Sequence, residues 1–286
     1  MNKKLLQLYG LKWNPFAPDV PTEALWVAPR VNHFGWRLEQ LVREGGFALV
    51  SGDPGVGKSA ALRIVTERLG GLRDVVVGVV ERPQSGVSDF YRELGHVFGV
   101  SLGQRNRWGG FQALREKWQS HIEATLLRPV LAIDEAQEMS REVLAELRLL
   151  CSARFDSRAL LTVLLSGDRR LLVRFESDEA FLPLATRIRA RLPLEALPPE
   201  TLAEILRHAI TQAGNPKLLT PELITTLAEH AAGNLRVLHG LAADLLAAAA
   251  QREARQLDEQ LYLEVFAAPT ANARPPRATA RAGRAR

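Results

Sequence analysis

The stretch Gly52-Asp53-Pro54-Gly55-Val56-Gly57-Lys58-Ser59 constrains this chain more than any other. It fits G-x-x-x-x-G-K-[ST] in full. Glycines let the backbone curl so that several N–H groups converge on one anion. A helix that starts at the lysine turns its positive end toward the same anion. In that geometry Lys58 reaches the β- and γ-phosphates as a compact charge. Ser59 offers a hydroxyl to Mg²⁺, and Ala60 continues the first turn behind it. The segment therefore calls for ATP and Mg²⁺ as ligands, and for a strand, a loop and a helix in that order.

The flanking residues supply those elements. Residues 47–51 (FALVS) form a short apolar strand, and 58–69 a helix stopped by Gly70-Gly71. Further strands are predicted at 74–80, 129–133, 159–165 and 191–194. Helices are predicted at 31–44, 88–98, 111–127 and 140–151. Strands alternating with helices imply an α/β fold, a five-stranded parallel sheet with helices on both faces. After Pro198-Pro199 the pattern is almost entirely helical. Thr220-Pro221-Glu222 offers a cap and a proline at the first helical position. Gly233-Asn234 separates two helices, and Leu257-Asp258-Glu259 starts a last short one. The organisation read from this is a lead-in over 1–46 packing on the core, with a turn-rich aromatic segment at Tyr9 to Phe16. An α/β nucleotide-binding domain follows over 47–198, a small all-helical lid domain over 199–267, and a disordered tail over 268–286.

Composition narrows the class. The chain has 286 residues, 47% apolar and 24% charged, enough for a sizeable core in a soluble protein. No apolar run reaches membrane-spanning length. The apolar N-terminal start stops at Gln7, so no secretory segment develops. A single cysteine, Cys151, excludes an intrachain disulfide, fits a reducing compartment and reads as a small core residue. Together these point to a cytoplasmic location and no membrane partner. The net charge is +5, yet Arg274, Arg277, Arg281, Arg284 and Arg286 all lie in the tail, which has no acid. The body is thus neutral, and the tail is the basic element, able to add nonspecific attraction to nucleic acid.

The second chemical feature is Val130-Leu131-Ala132-Ile133-Asp134-Glu135, 76 residues after Lys58 when counted to Asp134. A buried strand delivers two carboxylates at its C-terminal end, where open α/β sheets bind ligands. Asp134 reads as a holder of Mg²⁺, with Ser59. Glu135 reads as the group that orients and polarises the attacking water. Both acids together imply hydrolysis and not binding alone.

With these motifs in this order, the chain resembles the AAA+ superfamily from residue 1 to about 267. The resemblance implies that a polar residue ending the fourth strand senses the γ-phosphate; Ser166 matches that place, with Asp168 as a rival. It implies that Arg236, in Gly233-Asn234-Leu235-Arg236, reaches the γ-phosphate from the lid. It implies that one of Arg187, Arg189 and Arg191 acts as an arginine finger on the ATP of a neighbouring copy, hence a homo-oligomer. Tyr9-Gly10-Leu11…Asn14-Pro15-Phe16 and Ser88-Asp89-Phe90-Tyr91-Arg92-Glu93-Leu94 look like ExeA-type ATPases. That group includes secretion ATPases and the target-selecting partners of transposases, of the TnsC, MuB and IstB type. The basic tail and the lack of a membrane or cell-wall module favour the second branch. It implies rings or filaments on double-stranded DNA that engage a transposase. Arg82, Gln84, Arg105 and Arg107 are the DNA candidates, with Trp108 beside them as a core residue. An assembly factor of a secretion or envelope system, not acting on DNA, is the alternative, and a signalling switch is the third reading.

Overall fold

A computed structural model describes residues 2–101, 107–124, 126–153 and 158–266 of the chain. Five parallel strands form one sheet: β1 (Gly46–Gly52), β2 (Val75–Val80), β3 (Arg128–Ile133), β4 (Thr162–Gly167) and β5 (Ile188–Leu194). Their order across the sheet is β2-β3-β4-β1-β5. Alternate residues of each strand serve opposite faces. Phe47 and Leu49 join one core cluster, whereas Ala48 and Val50 join the other. Because both faces are covered, β1, β3 and β4 are apolar almost throughout. The edge strand β5 instead alternates buried and exposed, and it tolerates Pro193 on its open face.

On one side of the sheet lie α2 (Pro29–Glu44) and α3 (Lys58–Gly70). Proline at the first position starts α2, and Val31, Phe34, Leu38, Leu41 and Val42 repeat at helical spacing to fill its buried stripe. The other side carries α4 (Val87–Val97), α5 (Arg107–Ala124), α6 (Arg141–Leu150) and α7 (Arg169–Ser177), with the short α8 (Leu182–Ala185) after it. Ser140 caps α6 by accepting from Val143 N, and Asp168 caps α7 by accepting from Arg170 N.

The helical part is α9 (Pro199–Gln212), α10 (Pro221–His230), α11 (Leu235–Arg252) and α12 (Glu259–Phe266). Thr220 caps α10 as its sequence suggests, accepting from Leu223 N. The structure divides what the sequence treats as one lead-in. Helix α1 (Asn2–Tyr9) and the segment after it belong to the helical part, since Tyr9, Leu11 and Phe16 are buried among residues of α9, α10 and α11. Helix α2, with Val27 and Ala28 before it, packs on the sheet side.

Three further differences are local. The fourth strand begins at Thr162 and not at residue 159, because its pairing starts where Thr162 stands opposite Gly46 and Val130. Leu160 and Leu161 are buried without belonging to the sheet, and Ala159 pairs with Ser152 in a two-residue antiparallel ladder. Helix α5 is set one turn earlier than 111–127, and Leu126 beyond it takes a left-handed φ of 58°. Trp108 is not a core residue: it is 65% exposed and stacks on Phe111. Among the described residues no helix is long and apolar enough to cross a membrane. Arg105 and the tail over 268–286 lie outside the described residues.

Candidate nucleotide-binding site

Strand order explains why distant residues meet. Because β4 lies between β3 and β1, the C-terminal ends of all three open at one place. The glycine loop follows β1 there and leads into α3. Gly57 adopts φ 103° in the position that caps α3, a left-handed conformation that favours glycine. Gly55 has φ 87°, and a Cβ on it would stand 2.2 Å from Asn234 Oδ1. Lys58 is buried, and its Nζ donates to Asp53 O at 3.1 Å, curling the loop around the ammonium.

Asp134 follows the last residue of β3 and collects three bonds. Its Oδ2 accepts from Ser59 Oγ at 2.7 Å, and its Oδ1 from Ser166 Oγ at 2.8 Å and from Glu135 N at 2.9 Å. Ser166 is fully buried, so its hydroxyl is committed to this carboxylate. Its rival Asp168 is used elsewhere, capping α7 and pairing with Arg170. Burial pushes the Asp168 carboxyl up, but the hydrogen bonds from Arg170 and the charges of Arg170 and Lys58 outweigh it and hold the group below its ordinary range. Glu135 is exposed at the mouth and takes φ 51°. Its carboxylate accepts from Gln137 Nε2.

The facing wall comes from the helical part. Asn234 caps α11, its Oδ1 accepting from Arg236 N at 2.9 Å and Val237 N at 3.2 Å. Its Nδ2 donates to Pro54 O at 3.0 Å, and Arg236 N donates to Gly55 O at 3.3 Å. The lid is therefore docked on the glycine loop itself, with the exposed Arg236 beside it. The cavity between the walls measures about 500 Å³ and is lined by Gly55, Gly57, Lys58, Ser59, Glu135 and Arg236, among others. A smaller apolar chamber of about 100 Å³ adjoins it, between Trp26, Val56, Leu197, Ile205 and His239. Burial pushes the His239 imidazole below its ordinary value.

A strap closes the remaining side. Arg63, on α3, donates to Pro18 O at 3.1 Å, to Val20 O at 2.6 Å and to Thr22 Oγ1 at 3.3 Å. From the lid, His208 Nε2 donates to Ala24 O at 3.2 Å, while Lys12 N donates to Ala213 O and Asn215 Nδ2 to Tyr9 O. Sequence reading left Arg63, His208, His239, Trp26 and Gln137 without roles. The only signal for most of them is polarity on a buried face, which many surfaces share.

The structure thus brings together Lys58, Ser59, Asp134, Glu135, Ser166 and Arg236. It does not bring Arg187, Arg189 or Arg191 to the same place. Arg191 stands opposite Leu49, three residues before the pair Gly52–Leu194, and so roughly 10 Å down the sheet from the loop. Arg189 pairs with Glu44, and its O accepts from Arg37 Nη2 at 2.7 Å. Arg191 Nη2 donates to Ala185 O at 3.3 Å. Arg187 is half-buried, and its positive charge opposes the rise that burial imposes on the Cys151 thiol. Arg82 and Gln84 are exposed on the loop after β2, at the opposite edge of the sheet; Arg107 opens α5.

Residues 42–175 match the family model of the AAA domain. Over 259 residues the chain is 26% identical to general secretion pathway protein A of Aeromonas hydrophila, covering 88% of this chain and 46% of that protein. The chain thus spans about half the length of the curated relative it matches. Among solved structures, it superposes on the Aeropyrum pernix ORC2 protein with a TM-score of 0.67 at 16% identity, covering 88% of this chain and 70% of the other. Cdc6p of Pyrobaculum aerophilum gives 0.66 at 15%, covering 85% and 67%. At these identities the structural likeness concerns the fold alone. That fold is the AAA+ fold, a five-stranded parallel sheet followed by helices, and residues 42–175 are similar to the AAA domain.

Proposed function

We propose that this protein binds and hydrolyses ATP, and that its nucleotide state governs assembly with further copies and with partner proteins of a secretion or envelope system. The observation that carries the catalytic part is the chain of hydrogen bonds Ser59–Asp134–Ser166, with Glu135 at the mouth of the same cavity. A hydroxyl and a carboxylate oxygen 2.7 Å apart form an oxygen donor set suited to Mg²⁺. Backbone N–H groups of the glycine loop and Lys58 fit a triphosphate, and the adjoining apolar chamber suits a flat base. Bound there, Mg²⁺ would neutralise phosphate charge as it develops. Glu135 would hold the attacking water and accept its proton, with Arg236 offering positive charge from the lid.

Arg187, Arg189 and Arg191 support the oligomeric part. Arg191 sits well away from the chain's own phosphate loop, and Arg187 and Arg189 precede it in the chain, so a contact of theirs with ATP would be with that of another copy. The match to a general secretion pathway protein supports the secretion reading more than the transposition reading. What lies in the other half of that relative bears on neither.

Turnover of ATP with Mg²⁺ by the wild type and by Glu135→Gln tests the proposal. The variant should bind ATP normally and turn over at least about 100-fold more slowly. Unchanged turnover would remove Glu135 from the mechanism. The same assay with duplex DNA separates the partners. No stimulation and no mobility shift at low salt support a protein partner. ATP-dependent binding to DNA would restore the transposition reading, with Arg82 and Gln84 as first residues to substitute.

A further inference from the structure

We propose that Gln137 is the positioning residue for Glu135: its carboxamide bridges the Glu135 carboxylate to the backbone N–H of Asp168, tying that carboxylate to the end of β4. The proposal rests on the reading of Glu135 as the group that holds the attacking water. An exposed glutamate at a cavity mouth samples several rotamers, and only a fraction of them aim an oxygen at one point. Glu135 also departs from ordinary backbone geometry, with φ 51° and ψ 41°, so its side chain leaves the turn in an uncommon direction. Something buried must select its orientation, and Gln137 is placed to do so.

The Gln137 side chain is only 7% exposed and is engaged at both ends. Its Oε1 accepts from Asp168 N at 3.2 Å, and its Nε2 donates to a Glu135 carboxylate oxygen. The orientation follows from the partners. Asp168 N can only donate and a carboxylate can only accept, so the flipped amide would oppose like groups at both ends. The turn that carries Gln137 is itself fixed, because Arg174 Nη1 donates to Gln137 O and Met139 O, both at 2.9 Å. The end of β4 is pressed against the amide: a Cβ at Gly167 would stand 3.0 Å from Gln137 Oε1.

The adjoining residue, Ser166, holds Asp134. One strand end therefore positions both acids, Asp134 through Ser166 and Glu135 through Gln137. The nature of the donor matters. A neutral amide occupies one carboxylate oxygen, leaves the other for water and brings no positive charge that would weaken the carboxylate as a base. An arginine at this place would anchor the group and blunt it.

The test compares the full-length wild type with Gln137→Ala and Gln137→Glu. If Gln137 positions Glu135, Gln137→Ala keeps its affinity for ATP and its melting temperature while kcat falls about tenfold or more. Gln137→Glu cannot donate to the Glu135 carboxylate, so its kcat should fall at least as far as that of Gln137→Ala while its affinity for ATP is kept. Unchanged kcat in Gln137→Ala overturns the proposal. So does a joint loss of affinity, melting temperature and kcat, which marks a purely structural role. A second readout is independent of turnover: the side-chain ¹⁵N amide signal of Gln137, identified by its loss in Gln137→Ala, should shift in Glu135→Gln. An unmoved signal overturns the bridge. That shift in Glu135→Gln, together with no hydrolysis by the wild type, instead overturns the ATPase reading on which the kinetic arm depends.

Discussion

The two walls of the cavity grip the phosphate loop in different ways. The core wall works from side chain to side chain, with the half-buried Asp134 linking the exposed Ser59 to the buried Ser166. The lid wall takes hold of backbone carbonyls, at Pro54 and Gly55, through Asn234 Nδ2 and Arg236 N. Carbonyls point away from the N–H cradle that receives an anion. The lid can therefore part from the loop without dismantling the cradle, whereas disturbing the core wall changes the cradle itself. A fixed wall suited to chemistry thus faces a releasable wall suited to reporting it.

Substitution in the cradle should give the largest effect. Lys58→Ala removes the only buried cation of the loop and should lower ATP affinity about 100-fold or more, measured by titration calorimetry. Retained affinity would break the assignment of the fixed wall. Asn234→Ala strikes the releasable wall. It loses a helix cap, about 1 kcal/mol, and a hydrogen bond to Pro54 O of similar size. Faster amide exchange confined to the first turn of α11 should follow, with the sheet unchanged. Exchange that spreads into β1 or β3 would show that the walls are not separable.

The smallest effect concerns pH. Burial holds His239 below its ordinary value of 6.5, with Phe16 against it at 6.3 Å. Below that value the unfolded chain binds a proton that the folded lid resists. Stability should therefore fall as the pH drops from 6.5 toward the lower folded value, and His239→Phe should flatten that part of the melting profile. An unchanged profile would remove His239 from it.

Much of this was legible in the sequence because the chemistry there is local. The phosphate loop needs its residue types at fixed spacing, and the acids at 134 and 135 advertise themselves by following a buried strand. Element boundaries were less legible. The run from Ala159 to Leu165 is apolar but for Thr162, and only the register against Gly46 and Val130 says where pairing starts. Helix α7 was missed because only Leu171 and Phe175 are buried in it, beneath arginines at 169, 170 and 174. Gln137 was missed for a different reason. Its meaning depends on Asp168, which is 31 residues away and reaches it only through the sheet. Trp108 was misplaced because a tryptophan between glycines and arginines carries no periodicity by which to assign its face.

The strap over the cavity has a mechanical consequence. Core and lid are joined by covalent chain twice, once through residues 195–198 after β5 and once through residues 17–28 between the lid-packed N-terminus and α2. A body held at two points loses most of its freedom to tumble and keeps a hinge line through them, as a door does. Lid motion should then follow one arc, seen as a narrow distance distribution between labels placed on α3 and α10. Cutting the strap near Asp19 should broaden that distribution while both halves stay folded.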